Sequence, residues 1–318
     1  MTLAPQQKSK IAILLAVYNG MQYIGEQLQS LLRQSNLDVT IFVSIDLSSD
    51  NSLTWFQELA SHDSRIVVLP YGERYGGAAK NFFRLIRDVN FSAFDYIAFS
   101  DQDDLWHLDK LSKATSILRD SEYSAYSSNV TAFWPDGREM LINKAQPQKK
   151  WDFIFEAAGP GCTYVMSNSL MNVIKANLLE NWDIAQQISL HDWYCYAFAR
   201  ANDYQWYIDP EPSMLYRQHE KNQVGVNVGA KAYIVRLKQI KSGWWLHQAY
   251  LVAKLVGVSH CSFVQSWSKL GRISLLRLAV SAFQCRRRLG DQISFALICV
   301  GLAIIGEYKK IKPEGNAT

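Results

Sequence analysis

Tyr96-Ile97-Ala98-Phe99-Ser100-Asp101-Gln102-Asp103-Asp104-Leu105-Trp106 is a short apolar run that stops in three carboxylates within four residues. Like charges this close repel and raise one another's pKa, so such a cluster at the open end of a buried strand calls for a cation or a set of donors opposite it. Oxygen ligands at i and i+2 suit Mg²⁺ or Mn²⁺, which keep several waters, take one or two carboxylates and leave positions for substrate phosphates. The stretch reads as a metal-diphosphate site. A plainer alternative stays open on these residues alone: the acids cap a following helix, with Asp103 or Asp104 satisfying free N–H groups before Leu108.

Upstream of this stretch the chain alternates strand and helix. Ile11-Ala12-Ile13-Leu14-Leu15-Ala16-Val17 is a continuous apolar run, as in a strand covered on both faces, and Tyr18-Asn19-Gly20 breaks it with turn chemistry. Ile24, Leu28, Leu31 and Leu32 recur at helical spacing through Gln34, and Val39 to Ile45 is a second strand ending at Asp46. Ser48-Ser49-Asp50-Asn51 offers N-caps for a helix through about Ala60, and Arg65 to Leu69 is a third strand closed by Pro70. After the Gly-rich loop Tyr71 to Ala79, a helix carries Phe82, Phe83, Leu85, Ile86 and Val89 into the strand quoted first. This rhythm predicts an α/β fold with an open, mostly parallel sheet flanked by helices, which binds ligands beyond the carboxyl ends of its strands. The loops at Tyr18-Asn19, Asp46 to Asp50, Gly72 to Lys80 and Asp101 to Asp104 then share one edge, and acidic residues at several strand ends fit a charged-nucleotide pocket better than a single helix cap.

The second half is less regular. Ala125 to Phe133 is strand-like, Pro135-Asp136-Gly137 is a turn, and Ala157 to Thr163 is a loop before the apolar Tyr164-Val165-Met166. In Leu190-His191-Asp192-Trp193-Tyr194, at the head of an aromatic-rich helix, Asp192 is either a first-turn acid or a catalytic base. Another strand runs to Leu215-Tyr216-Arg217-Gln218-His219, and a lone histidine at such a place is more often structural than a ligand.

Size and charge bound the rest. The 318 residues are 48% hydrophobic, ample for a large core, with 33 Lys and Arg against 29 Asp and Glu. Five widely spaced cysteines, an odd number without a CxxC pair, argue against a disulfide framework or a structural zinc and for a reducing compartment. The polar Met1 to Lys10 and the seven-residue apolar run behind it are unlike a secretory signal, so a cytoplasmic location is expected. From Lys231 to Gly290 there are eleven Lys or Arg and no Asp or Glu, interleaved with Trp244, Trp245, Phe263, Trp267 and Phe283 and including Arg286-Arg287-Arg288. That composition suits helices lying on an anionic inner-leaflet surface, or a helical subdomain packing on a homo-oligomer partner. The apolar run Ile293 to Gly306 is shorter than the ~20 residues needed to span a bilayer. No nucleic-acid module accompanies the basic residues.

Taken together, the blocks Leu15 to Gly20, Ser44 to Asp50, Gly76 to Asn81, Ser100 to Trp106, His191-Asp192-Trp193 and Tyr216-Arg217-Gln218-His219 resemble inverting family 2 glycosyltransferases of GT-A fold, especially the bacterial rhamnosyltransferase-like group that builds surface polysaccharides. The likeness runs from Lys10 to Asn222 and implies a catalytic domain at 1-228 with a helical, basic, membrane-associating extension at 229-318. It places Tyr18 and Asp46 at the pyrimidine base, Asp101 at the ribose or metal shell, Asp103 and His219 on a Mn²⁺ or Mg²⁺ ion, and Asp192 as the catalytic base. Ser48 and Gln102 lie within matching blocks and are carried as donor-binding residues. Arg74 and Lys80 could pair with phosphate, although solvated charges at a helix start are as ordinary. One departure stands out: Ile45 precedes Asp46 where the family commonly has a second acid, and Leu47 replaces a usual glycine.

The expected chemistry is transfer of a sugar, L-rhamnose by resemblance, from a dTDP- or UDP-linked donor to a lipid-linked or oligosaccharide acceptor, with inversion. A non-catalytic nucleotide-sugar-binding or membrane scaffold protein of the same fold is the competing reading, and the Asp192 and His219 blocks speak against it. A nucleotidyltransferase would carry a Gly-rich, cationic loop straight after the first strand, which Tyr18-Asn19-Gly20 is not.

Overall fold

A computed structural model of the chain describes residues 8–219 and 243–305. Contacts divide the chain into a first unit of Met1–Ala145 with Ala158–Gln223 and a second of Gln146–Ala157 with Val224–Thr318.

The first unit begins as the periodicity predicts. Strand β1 (Lys10–Val17), helix α1 (Ile24–Leu32), β2 (Asp38–Ile45), α2 (Ser52–His62), β3 (Ile66–Val68), α3 (Ala78–Asp88) and β4 (Tyr96–Ser100) follow in order. Every residue from Ile11 to Val17 is buried, which explains why β1 lacks polar alternation. Then come β5 (Leu105–Trp106), α4 (Lys110–Arg119), β6 (Ala125–Ser128), β7 (Val130–Phe133), β8 (Glu139–Ile142), β9 (Val165–Ser167), α5 (Asn168–Glu180), α6 (Trp182–Ala185), α7 (His191–Ala201), β10 (Trp206–Asp209) and β11 (Met214–Arg217).

Seven strands form the main sheet in the order β10-β6-β9-β4-β1-β2-β3. Pairing is parallel from β3 to β4, and β9 is antiparallel to both β4 and β6. A second sheet has the order β5-β11-β7-β8. The expected strand from Ala125 to Phe133 is thus two strands in different sheets. Asn129 makes the break: its N–H donates to Asp209 O at 2.9 Å and its Nδ2 to Pro210 O at 2.7 Å, while its Oδ1 accepts from Lys144 N at 2.6 Å. The helix-cap alternative for the acidic stretch also fails. Strand β5 intervenes, and α4 begins only at Lys110 behind Asp109.

The second unit carries helices α8 (Trp244–Leu255), α9 (Ser262–Trp267), α10 (Arg272–Val280), α11 (Ala282–Cys285) and α12 (Leu289–Ile305). Among the described residues no helix is long and apolar enough to cross a membrane. Of the Arg286-Arg287-Arg288 triple expected to face lipid, Arg287 is instead internal. Its Nη1 lies 3.2 Å from Asp152 Oδ2 with both side chains fully buried, and Arg286 approaches Glu156 and Asp291 at 3.7 Å. An ion pair taken out of water must be closed on partners of its own, and here Gln146–Ala157 supplies them. Residues 231 to 242 of the basic stretch lie outside the described residues.

Candidate active site

The loops at the carboxyl ends of β1, β2 and β4 are tied to one another through side chains. Tyr18 N donates to Gln102 Oε1 at 2.7 Å and Gln102 Nε2 donates back to Tyr18 O at 3.0 Å. Asn19, held at φ 47, is of a residue type that tolerates the left-handed region; its N–H donates to Ser48 Oγ and its Oδ1 accepts from Ser49 N. Behind them buried Asn81 of α3 donates Nδ2 to Val17 O at 3.3 Å and Ser44 O at 3.0 Å, clasping the ends of β1 and β2.

Asp46 is buried, and its carboxylate accepts from the N–H groups of Leu47, Tyr75 and Gly76 at 2.7 to 2.8 Å. It therefore closes the Gly-rich loop onto the end of β2. Tyr18 is 53% exposed, presenting a ring at the mouth of the site, and Ser48, Arg74 and Lys80 surround the same loops with Arg74 and Lys80 in solvent.

The three acids have three different surroundings. Asp103 is partly open, and its Oδ2 lies 2.7 Å from His219 Nε2, each side chain being 14% exposed. Asp104 is fully buried, and its Oδ1 accepts from Arg217 N at 3.1 Å. Asp101 is held well above the ordinary carboxylate range, first by burial and then by the negative charges of Asp103 and Asp192. Asp101, Asp103, Asp192 and His219, scattered over more than a hundred residues, thus belong to one site.

Asp192, in the first turn of α7, has its pKa pushed up to about 6 by burial, against opposing hydrogen bonds from main-chain N–H groups including that of Trp193 at 2.8 Å. Its neighbour His191 is buried against Phe82 with ring centroids 3.8 Å apart, and burial lowers its pKa to about 3. A general base works best with a pKa near the operating pH, which favours Asp192 over His191. Gly161 makes the approach to both residues feasible. A Cβ there would meet His191 Nε2 at 2.8 Å and Asp192 Cβ at 3.0 Å.

Two sets of side chains could receive a cation. Asp101, Asp104 and Cys162 bring their ligand atoms within 4.8 Å of one another, yet the set is inward, and burial raises the Cys162 thiol so that it stays protonated. A protonated thiol is a poor ligand for a hard ion. Asp103 and His219 offer a carboxylate oxygen and an imidazole nitrogen side by side on the open side, a donor pair that fits Mn²⁺ or Mg²⁺ beside a diphosphate.

Sequence reading missed the inner layer. Lys110 is buried with its ammonium 3.6 Å from the Trp106 ring centroid, and burial lowers its pKa to about 7. The one available signal was the four-residue spacing of Trp106 and Lys110, which is common on surfaces. Arg217 lies inside the Tyr216 to His219 block and Gly161 inside the loop from Ala157 to Thr163, and the sequence attaches no role to either.

A central parallel sheet extended by antiparallel strands, with acids at the strand ends, defines the nucleotide-sugar-dependent GT-A class of fold. Solved structures agree: Staphylococcus aureus TarS 1-349 is similar at a TM-score of 0.53 and 15% identity over 95% of this chain and 93% of that one. A mannosyltransferase, PcManGT from Pyrobaculum calidifontis in complex with GDP-Man and Mn²⁺, is similar at 0.52 and 14% identity over 94% and 87%. The sequence profile of glycosyl transferase family 2 matches residues 12–166. A dTDP-rhamnosyl transferase, RfbG of Shigella flexneri, is 45% identical over 287 residues, 90% of this chain and 99% of the relative. The chain belongs to glycosyl transferase family 2, as its sequence blocks imply, and is a glycosyltransferase.

Proposed function

We propose that this enzyme transfers L-rhamnose, with inversion, from dTDP-rhamnose to a lipid-linked or oligosaccharide acceptor in bacterial surface-polysaccharide assembly. The likeness to a named dTDP-rhamnosyl transferase over nearly the whole length of both chains is the observation that carries the sugar. A second relative, the Escherichia coli glucosyltransferase WfgD, is 29% identical over 51% of this chain and is named for a diphosphoundecaprenol-linked substrate, which supports a lipid-linked acceptor.

In the proposed step the acceptor hydroxyl attacks the anomeric carbon from the face opposite the diphosphate. The new C–O bond forms as the bond to the diphosphate oxygen breaks, and that electron pair leaves with the nucleotide. Asp192 takes the acceptor proton, help typically worth about 10²–10⁴-fold. Asp103 and His219 would hold a divalent ion, Mn²⁺ or Mg²⁺, which when bound would offset the charge gathering on the leaving group. Tyr18 stacks on the base. Asp46 and Ser48 shape the base and ribose pocket through the Gly-rich loop, Asp101 and Gln102 face the ribose side, and Arg74 and Lys80 approach the phosphates from solvent.

The extension at 229-318 would hold the enzyme on the cytoplasmic face of the inner membrane. Helix α12, about 25 Å long, exposes Leu289, Ile293, Leu297, Ile304 and Ile305, and α10 exposes Ile273, Leu276 and Val280. Lys254, Lys269, Arg272, Arg277 and Arg288 are also exposed, whereas Asp291, the single acid between 243 and 305, is paired with Arg286. Apolar rows with cations and no free acid favour an anionic lipid surface over a protein partner.

The test of the reaction is to incubate purified protein and Mn²⁺ with a panel of nucleotide sugars and a lipid-linked acceptor. Selective release of dTDP from dTDP-rhamnose is expected; preferential turnover of another donor removes the rhamnose reading, and turnover unchanged by chelation removes the metal. Flotation with anionic vesicles should be lost when Ile293, Leu297 and Ile304 are replaced by Ser. A salt-resistant dimer without flotation would identify the rows as a subunit contact instead.

A further inference from the structure

Arg217, the last residue of β11, reaches the metal-site residues along several routes at once. Its main-chain N–H donates to Asp104 Oδ1 at 3.1 Å, its Nε donates to Asp103 O at 2.8 Å, and its Nη2 donates to the Glu26 carboxylate. The guanidinium carbon lies 4.7 Å from the Tyr23 ring centroid and 4.8 Å from that of Phe133. Tyr23 in turn stacks on the His219 imidazole, with centroids 5.0 Å apart and an interplanar angle of 28°. One cation thus grips the backbone of Asp103 and backs the ring on which His219 rests.

We propose that Arg217, together with Tyr23, is a positioning residue that sets the orientation of the Asp103 carboxylate and the His219 imidazole, and so the affinity for the metal–nucleotide complex. The inference rests on the reading of these two residues as metal ligands. The mechanism is geometric. The turn from Asp101 to Asp104 joins a five-residue strand to a two-residue strand, too little pairing to fix a carboxylate by itself. A planar guanidinium can donate to a carbonyl and a carboxylate while lying between two rings; an ammonium has the charge without the fork or the flat faces. Groups that orient metal ligands typically carry 10- to 100-fold in metal affinity. A purely structural arginine would instead influence folding and leave metal affinity alone.

The test compares wild type, Arg217→Lys, Arg217→Gln, Tyr23→Leu and Glu26→Gln as full-length proteins. Mn²⁺ binding in the presence of dTDP is followed by electron paramagnetic resonance and calorimetry, dTDP binding without metal is measured separately, and melting temperature is recorded in chelator. Arg217→Lys is expected to melt within a few degrees of wild type and to bind dTDP alone unchanged, while Mn²⁺ affinity with dTDP falls 10- to 100-fold. At saturating Mn²⁺ and donor its kcat should recover to within a few fold. Tyr23→Leu, which leaves the hydrogen bonds of Arg217 in place, should lose 3- to 10-fold in Mn²⁺ affinity and serves if the arginine variants do not fold. Glu26→Gln should lose less than about threefold. A Mn²⁺ response in wild type that persists at full affinity in Arg217→Lys and Tyr23→Leu overturns the inference and leaves the metal reading standing. No Mn²⁺ response in wild type overturns both.

Discussion

Buried charge is handled in opposite ways in the two units. In the second, Arg287 and Asp152 are both fully buried and close on each other, with further bonds from Arg287 to the Glu156 side chain and the Ala157 carbonyl. In the first, Asp101 feels the negative charges of Asp103 and Asp192, Asp104 feels those of Asp103 and Asp101, and burial raises the pKa of Asp101, Asp104 and Asp192. An internal charge closed on an opposite charge of its own has little capacity left for a ligand. An under-compensated cluster at the mouth of a sheet holds that capacity in reserve, and each pKa unit it is displaced represents about 1.4 kcal/mol. Rigid apolar strands offset this cost, since burying one large aliphatic side chain contributes roughly 1.5–3 kcal/mol and β1 buries every residue from Ile11 to Val17.

The contrast makes predictions that can break it. Asp192→Asn should lower kcat by about 10²–10⁴-fold while donor affinity stays within a few fold. Because its carboxylate is held above its unfolded pKa, the folded state binds the proton more tightly, and the resulting stability is present at low pH and lost as pH rises through about 6. The amide should therefore be as stable as wild type at pH 8, or more so by up to about 3 kcal/mol; a lower melting temperature with full activity would reverse the assignment. Arg287→Ala should do the opposite, costing about 3–5 kcal/mol in chemical denaturation and leaving the kcat of the folded fraction unchanged. Replacing both members, as Arg287→Met with Asp152→Leu, should recover most of that loss.

Two smaller effects sharpen the same line. Gly161→Ala places a methyl against His191 and Asp192 and should reduce kcat by about 10²-fold, the scale of an ångström's misplacement, with little change in dTDP binding. The pH profile of kcat/KM should fall tenfold per unit below about pH 6, where Asp192 becomes protonated, and that limb should vanish from the residual rate of Asp192→Asn.

The sequence exposes these regions unevenly. The β1 run and the helical spacing of α1 and α3 are legible because burial on both faces or on one stripe writes itself into residue order. Asp103, Asp192 and His219 are legible only as a set of blocks, since each alone is an ordinary acid or a lone histidine. The inner layer is illegible for a physical reason. Asp104, Arg217 and Trp106 meet through pairing of β5 with β11, strands of two and four residues separated by more than a hundred positions, too short to have a period. Arg287 misleads in the same way: three consecutive arginines look solvated until the acid that neutralises one of them is located 135 residues away.

The exchange between Gln102 and Tyr18 has a consequence for the spelling of the acidic stretch. A carboxamide there gives one hydrogen bond to a carbonyl and takes one from an amide, as a rung of sheet does, without adding charge. A glutamate of the same shape could not give the first bond and would place another negative group among aspartates already short of counter-ions. The neutral letter between two acids is thus dictated by how the first and fourth loops are wired together, before any sugar nucleotide arrives.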